Sequence, residues 1–499
     1  MESQDIKPKL PKDEQIVENR ELGIWEALIP VFALIAMLAY NVYVYGSDAL
    51  SGSNQFILLM GGAVAAIVGI YNKVTFDQML EEVSENIKST GGAILILLMV
   101  GALAGTWLVS GIIPTMIYYG LQILNPTIFL AACVIICAII SVATGSSWTT
   151  SATVGIALIG IADALGVSLG MTAGAILSGA YFGDKISPMS DTTNLAPAMA
   201  GTDLFTHIRY MLYTTIPTLV ITLIVFIIIG LNLDTTGSAT TQSILQSVDE
   251  AVNVSPWLFI VPIVVIVLIV KKTPPLVALL IGTLLAAVAA LIFQPNIVAS
   301  IGGSDSLTFA SGYKGLMDAI TIDTAIPTDN DALKDLFSSG GMSSMLGTIW
   351  LILCAMVFGG IMDGIGALAV ISKALLKLFH TTFGLFASTV ASCLALNLTA
   401  SDQYLAIVVP GKMYSQAYKD KGLAPENLSR TLEDSGTVTS VLVPWNTCGA
   451  YHSGVLGVDT MHYAGYAIFN WLSPFMTLLF AAFRIKIRQL STPNAEVAK

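Results

Sequence analysis

The sequence predicts an all-α polytopic membrane protein, built as an inverted repeat. Each half has five transmembrane helices, one of them broken, plus one re-entrant hairpin. Three observations predict it. Only 11% of the 499 residues are charged and 55% are hydrophobic, whereas soluble domains carry about 25% charge. Apolar runs near ~20 residues, the length that crosses a bilayer, recur along the chain. One such run is interrupted from Ser178 to Ala200 by "SGAYFGDKISPMSDTTNLAPAMA", which carries Asp184, Lys185 and Asp191. Pro188 and Pro197 remove backbone donors there, and Gly183 loosens the turn. Such backbone survives at membrane depth only where protein buries it or where it lines a cavity. Ionisable groups there are costly and mark a functional site.

Composition excludes several classes. A net charge of −11 with no basic stripe leaves no nucleic-acid surface. Cys133, Cys137, Cys354, Cys393 and Cys448 are odd in number and lie in apolar stretches. They read as small buried apolar residues, with no disulfide framework. His207, His380, His452 and His462 are too scattered for a metal centre and are expected near the membrane interfaces. No cofactor is implied, and an enzyme is not expected. "FGDK" misses the Gly-x-Gly-Asp of an intramembrane aspartyl protease, and no rings of like charge mark a channel.

In chain order, residues 1–22 form a polar tail without a cleavable signal. The first repeat is expected over 23–231. Spans at Gly23–Tyr45 and Phe56–Tyr71 precede "TFDQMLEEVSENIKS", an amphipathic helix with Phe76, Leu80, Val83 and Ile87 on one face. A continuous span Gly91–Tyr118 follows. The hairpin, about 125–166, has two short apolar arms and a polar tip holding Thr144, Ser146, Ser147, Thr149 and Thr150. The broken helix occupies about 170–200, and Asp203 caps a span that ends near Leu231. Residues 232–256 read as a polar extracytoplasmic linker. The second repeat, 257–488, carries an acidic loop at about 294–344, a hairpin at about 380–416 and a broken helix at about 426–452. Within the loop, "DALKDLFSSGG" stands in place of the first amphipathic helix, and 489–499 are a tail.

The halves align at an offset of 255: Gly92 with Gly347, Gly105 with Gly360, Gly111 with Gly366, His207 with His462. Thr144 and Ser146 match Thr399 and Ser401, and Asp402 stands opposite Ser147. Asn446 and Thr447 stand opposite Asp191 and Thr192. Five spans per half turn the second copy upside down. With both termini cytoplasmic, Lys and Arg collect on the cytoplasmic side, leaving only Lys314 and Lys334 outside. Inverted repeats with broken helices and midplane sites are the signature of secondary transporters.

Broken helices present dipole ends and free carbonyls, and hard cations take oxygen ligands. The candidate ion and substrate ligands are Ser146, Ser147, Thr149, Asp184, Asp191, Thr192, Thr193 and Asn194 in the first half. In the second they are Ser401, Asp402, Asp434, Thr437, Asn446 and Thr447. Asp191, Asn194, Asp402 and Asn446 are the expected sodium ligands. Burial lifts a carboxyl toward the physiological range, so Asp184, Asp191, Asp402, Glu433 and Asp434 are the proton-coupling candidates. One acid that binds either Na+ or H+ couples the two fluxes. Structural alternatives stand beside this: Asp184 and Lys185 as a neutralising pair, and Glu433 and Asp434 as acids at a cytoplasmic helix start.

"GDKISPMSDTTNLAPAMAGTDL" (Gly183 to Leu204) and "LEDSGTVTSVLVPWNTCGAY" (Leu432 to Tyr451) resemble the NhaC family of bacterial sodium/proton antiporters. The resemblance runs from the first helix to Arg488. It implies Na+/H+ exchange in the cytoplasmic membrane, the wider ion-transporter superfamily, scaffold and transport domains, elevator-like movement and a homodimer. Superfamily Ser-Asn-Thr motifs hold sodium and substrate. Here the matching places read "TGSSWT" (Thr144 to Thr149), "DTTN" (Asp191 to Asn194), "TASD" (Thr399 to Asp402) and "WNTC" (Trp445 to Cys448). Similar exchangers swap malate and protons for lactate and sodium, so a small carboxylate, or an amino acid, is the alternative cargo.

Overall fold

The computed structural model describes residues 22–45, 52–123, 125–233, 238–328, 334, 337–378 and 381–490. The tails lie almost wholly outside these, as do His380 and most of "DALKDLF". Among the described residues, eight helices are long and apolar enough to cross a membrane. A bent pair, 244–251 with 256–270, makes a ninth. The chain is therefore a multi-pass, nearly all-helical membrane protein.

The first half begins with α1 (Ile24–Tyr45), α2 (Ser53–Tyr71) and α3 (Phe76–Ser89). Thr75 caps α3 through a capping box with Gln78. Its buried face is Met79 and Val83, while Phe76 and Leu80 are exposed and Ile87 is half-buried. Met79 and Val83 thus form the side that packs on the protein, and Phe76 and Leu80 stay on the outer surface. The reason is α17 (Leu346–Gly364), whose Gly360 and Gly364 admit the backbone of Val83 and Met79.

The span expected over 91–118 is two helices, α4 (Gly91–Val109) and α5 (Ile112–Ile123). Gly111, at φ +82°, makes the corner, a conformation that costs glycine little. The hairpin consists of α6 (Pro126–Thr144), a tip at 145–146, and α7 (Ser147–Thr150) continuing through a π turn (Ser151–Gly155) into α8 (Ile156–Ala164). The broken helix is α9 (Leu169–Ile186) and α10 (Asp191–Ala200), parted at 187–190. A long helix follows, α11 (Leu204–Leu231), capped by Asp203.

Residues 232–256 are not simply a linker. They contain α12 (Ser238–Ala251), which buries Ile244 and Val248. After a 3-10 turn come α13 (Ile260–Val270) and α14 (Pro275–Phe293). The stretch read as an acidic loop is largely folded, with α15 (Pro295–Ile301), α16 (Phe309–Thr321) and an antiparallel pair, Thr324–Ala325 with Ser338–Ser339. Its charges disguise small residues that pack. A Cβ at Gly105 of α4 would sit 1.8 Å from the Ala319 carbonyl oxygen of α16.

The second half repeats the element order of the first. After α17 come α18 (Ala367–Leu378) and the hairpin arms α19 (Thr382–Thr399) and α20 (Gln403–Asp420). The second break runs from α21 (Glu426–Leu432) through a π turn (Glu433–Thr437) and a 3-10 turn to α22 (Thr447–Leu456). The short α23 (Thr460–Tyr463) and then α24 (Ile468–Ala482) close the chain.

The most extensive helix pairing among the described residues seats the first hairpin on the first broken helix. Cβ atoms on Gly179 and Gly183 would lie 2.2 Å from the Val134 carbonyl oxygen and 2.5 Å from the Val142 nitrogen of α6. Small residues let membrane helices approach this closely. Gly183→Val is expected to push α6 and α9 apart, at a cost of about 1–3 kcal/mol or more for overpacking. A clear fall in the detergent unfolding midpoint checks this, with Gly454→Ala, against a threonine side chain, as the milder control.

Candidate functional site

The site begins with the backbone that each interruption frees. At the end of α9, the Asp184 and Lys185 carbonyls each receive the Thr193 hydroxyl at 3.0 Å. Ser190 caps α10 through the Thr193 amide. Asn194 donates to the carbonyls of Pro188 and Ser190 at 3.0 and 2.6 Å. These three "DTTN"-region side chains build the break and do not face the cavity. At the hairpin tip, Gly145 ends α6 at φ +70° against Met189, where a Cβ would clash. Ser146 caps α7. Ser147 is thereby aimed at α9, and its amide and hydroxyl donate to Asp184 Oδ2 at 3.2 and 2.7 Å.

The second half uses the same devices. Ser401 takes φ +60° at the tip, and its carbonyl receives the Thr447 amide at 2.9 Å. Asp402 caps α20 by accepting from the Tyr404 and Leu405 amides. Asn446 caps α22 and donates to the Asn397 carbonyl and side chain. Asn397 in turn donates to the Gly436 carbonyl at 2.7 Å and to Thr439 at 3.0 Å, tying the hairpin arm to the π turn.

Contacts then join the halves. The Thr192 hydroxyl donates to Glu433 Oε1 at 3.1 Å. The Tyr404 hydroxyl donates to Asp191. Trp148 stacks on Tyr451 at 3.9 Å. Lys185 pairs with Asp434 across the interface. The neutralising partner of Lys185 is therefore Asp434, not Asp184. Nor do Glu433 and Asp434 sit at a helix start: both are fully buried in the π turn.

A cavity of 640 Å³ opens between these elements. Ser146, Thr149, Asp184, Asp191, Asp402 and Thr447 line one wall, with Trp148, Gln403 and Tyr404. The N-terminus of α4 (Thr90, Gly92) and the turn Lys272–Pro275 form the other. Asp191 and Thr447 thus face the same space, with Asn446 buried behind Thr447. Near the breaks, the buried Asp184 Oδ1, Glu433 Oε2, Ser401 Oγ and Thr437 Oγ1 make no well-aligned hydrogen bond within the protein, with Ser190 beside the Asp184 carboxyl and Thr437 beside Glu433. Buried oxygens left this way are costly and call for a ligand. His207 and His452 are fully buried within the protein, while His462 is exposed. His207 bonds Ser429 at 2.8 Å, and His452 sits among Trp148, Tyr181 and Tyr451.

Asn397, Gln403, Tyr404 and Lys272 escaped the sequence reading. Asn397 gave a signal, an amide inside an apolar arm. Lys272 read only as a topology marker.

Comparison with known proteins follows the same lines. The profile of the Na+/H+ antiporter family matches residues 179–485. An uncharacterised Na+/H+ antiporter of Haemophilus influenzae is 34% identical over 468 residues, 93% of this chain and 97% of that protein. The Na+/H+ antiporter NhaC of Alkalihalophilus pseudofirmus is 36% identical over 417 residues, 84% and 87%. A malate-2H+/Na+-lactate antiporter of Bacillus subtilis is 37% identical over 438 residues, 87% and 88%.

Ser147→Ala deletes one of the two donors to Asp184, and a hydrogen bond to a charged group is worth roughly 1.5–3 kcal/mol. The unfolding midpoint followed by tryptophan fluorescence is expected to drop by a few degrees. Ser147→Thr, which keeps the hydroxyl, restores it; equal midpoints for the two variants would contradict the assignment.

Proposed function

Because this chain belongs to the Na+/H+ antiporter family, we propose that it exchanges Na+ for H+ across the cytoplasmic membrane. The observation that carries the reading is the pair of buried carboxylates without an ion-pair partner, Asp184 and Glu433, each with one oxygen that makes no well-aligned hydrogen bond within the protein. Asp184 lines the cavity, and Glu433 lies behind it, bonded to Thr192.

A bare carboxylate with oxygen neighbours accepts either a proton or a small hard cation. Na+ entering from the cavity meets Asp184 Oδ1, and the hydroxyls of Ser146 and Thr149 are at hand on the same wall. Ser147 holds the other Asp184 oxygen in place. A proton on the acid and Na+ beside it exclude one another, which couples the fluxes. Glu433, with Thr437 beside it, supplies further buried oxygens. Asp191 and Asp402 line the approach and are themselves held by Tyr404 and by the α20 amides.

The repeated element order supports an inverted repeat, and the distribution of Lys and Arg supports cytoplasmic termini. The cavity lies between the hairpin tips and the α3–α4 and α13–α14 turns. That division fits a transport domain moving against a scaffold in an elevator-type cycle, and a homodimer would give the scaffold a fixed seat. A second reading rests on the cavity's size and on Lys272 in its wall: exchange coupled to a small carboxylate, as the Bacillus subtilis relative's name describes, or to an amino acid.

Proteoliposomes decide between them. An imposed Na+ gradient is expected to move protons with no organic anion present. Proton movement only after malate, lactate or an amino acid is added would transfer the assignment to the second reading. Asp184→Asn is expected to abolish the exchange. In the wild type, protons compete with Na+, so the apparent KM for Na+ should fall as pH rises, by up to about tenfold per unit while the shared acid is protonated. A KM unchanged between about pH 6 and 9 would argue against a shared carboxyl.

A further inference from the structure

Asp434 differs from the other acids of the two breaks. Of Asp184, Asp402, Glu433 and Asp434, it alone has a basic partner among the described residues. Its Oδ1 accepts from the Lys185 ammonium, and its Oδ2 accepts from the hydroxyls of Thr214 at 2.9 Å and Thr477. The ammonium also lies 5.4 Å from the centroid of the Phe469 ring. Lys185, Asp434, Thr214 and Thr477 are all fully buried. The cavity reaches Asp184 but neither Lys185 nor Asp434.

A carboxylate, two hydroxyls and an aromatic face make the shell of a monovalent-cation pocket. Here the cation is supplied covalently, one residue along the chain from Asp184. We infer that Lys185 is the resident occupant of a second cation site, and that its ammonium is what keeps Asp434 out of the exchange. This rests on the reading of Asp184 as the exchanging acid. The physical requirement is simple. A buried carboxylate stripped of its partner is strongly destabilised, so it must bind a proton or another cation. Oxygen ligands already surround Asp434, so Na+ fits once the lysine head is gone.

The experiment is equilibrium binding of radioactive Na+ to the purified full chain at alkaline pH, with unfolding midpoints measured with and without NaCl. Wild type is expected to bind about one Na+ per chain, and Lys185→Met about two. Lys185→Met should also gain thermal stability from NaCl beyond the wild-type gain. Lys185→Met/Asp434→Asn, which removes both charges together, should return to the wild-type count and salt response, and Lys185→Arg should never leave them. A count that stays at the wild-type value in Lys185→Met overturns the inference. So does a Lys185→Met protein that NaCl fails to rescue, or a double variant that binds Na+ but no longer couples it to protons. A wild-type count of zero would instead sink the exchange reading, and a gain of one Na+ in Lys185→Met would still stand apart from it.

Discussion

A helix interrupted among apolar surroundings has to satisfy its own freed backbone, and the rest of this molecule follows from how it does so. The carbonyls at the end of α9 and the first turn of α10 lie largely within the protein rather than in bulk solvent. Thr193, Ser190 and Asn194 reach them instead. On the other side, Asn446 and Asn397 hold the second break to the second hairpin. Unwound backbone at membrane depth is tolerated only under such local satisfaction. Most of the hydroxyls and amides crowding the two breaks are therefore structural. The few oxygens they leave over are the ones free for chemistry.

Charge is handled with the same economy. Four acids, Asp184, Asp402, Glu433 and Asp434, are buried close to the breaks. Asp402 caps a helix, and Asp434 faces an ammonium. Asp184 is held through one oxygen only, and Glu433 likewise. The two acids with a spare oxygen come from different halves of the chain, and Thr192 links the first break to Glu433. Antiport needs a site that is unstable when empty, because an empty acid must take up one cation or the other before it moves. On the proposed reading, incomplete satisfaction supplies that instability, whereas a closed pair such as Lys185–Asp434 removes it.

Helix packing around the site works by close approach. Glycines at 101 and 105 admit the backbone of the folded insertion, those at 360 and 364 admit α3, and those at 179 and 183 seat the hairpin. Each contact trades side-chain volume for backbone proximity, the usual route to helix association where lipid is as apolar as leucine. The hairpin seating matters most for the site, since it sets the reach from Ser147 to Asp184.

The sequence by itself determined the class, the family and the places where the two helices break. Those features depend on local quantities: run length, the missing donor of proline, the freedom of glycine, and polar residues where none should be. It also nominated Asp184 and Glu433 among the acids. Tertiary structure decided which acid was left unpaired. Lys185 is adjacent to Asp184 in the chain, yet its side chain leaves α9 in a different direction and meets Asp434, 249 residues away. Helical geometry points neighbours in different directions, so no spacing rule could assign that partner. For the same reason the packed face of α3, the folding of residues 295–321 and the wall formed by Lys272 were legible only once distant helices were brought together.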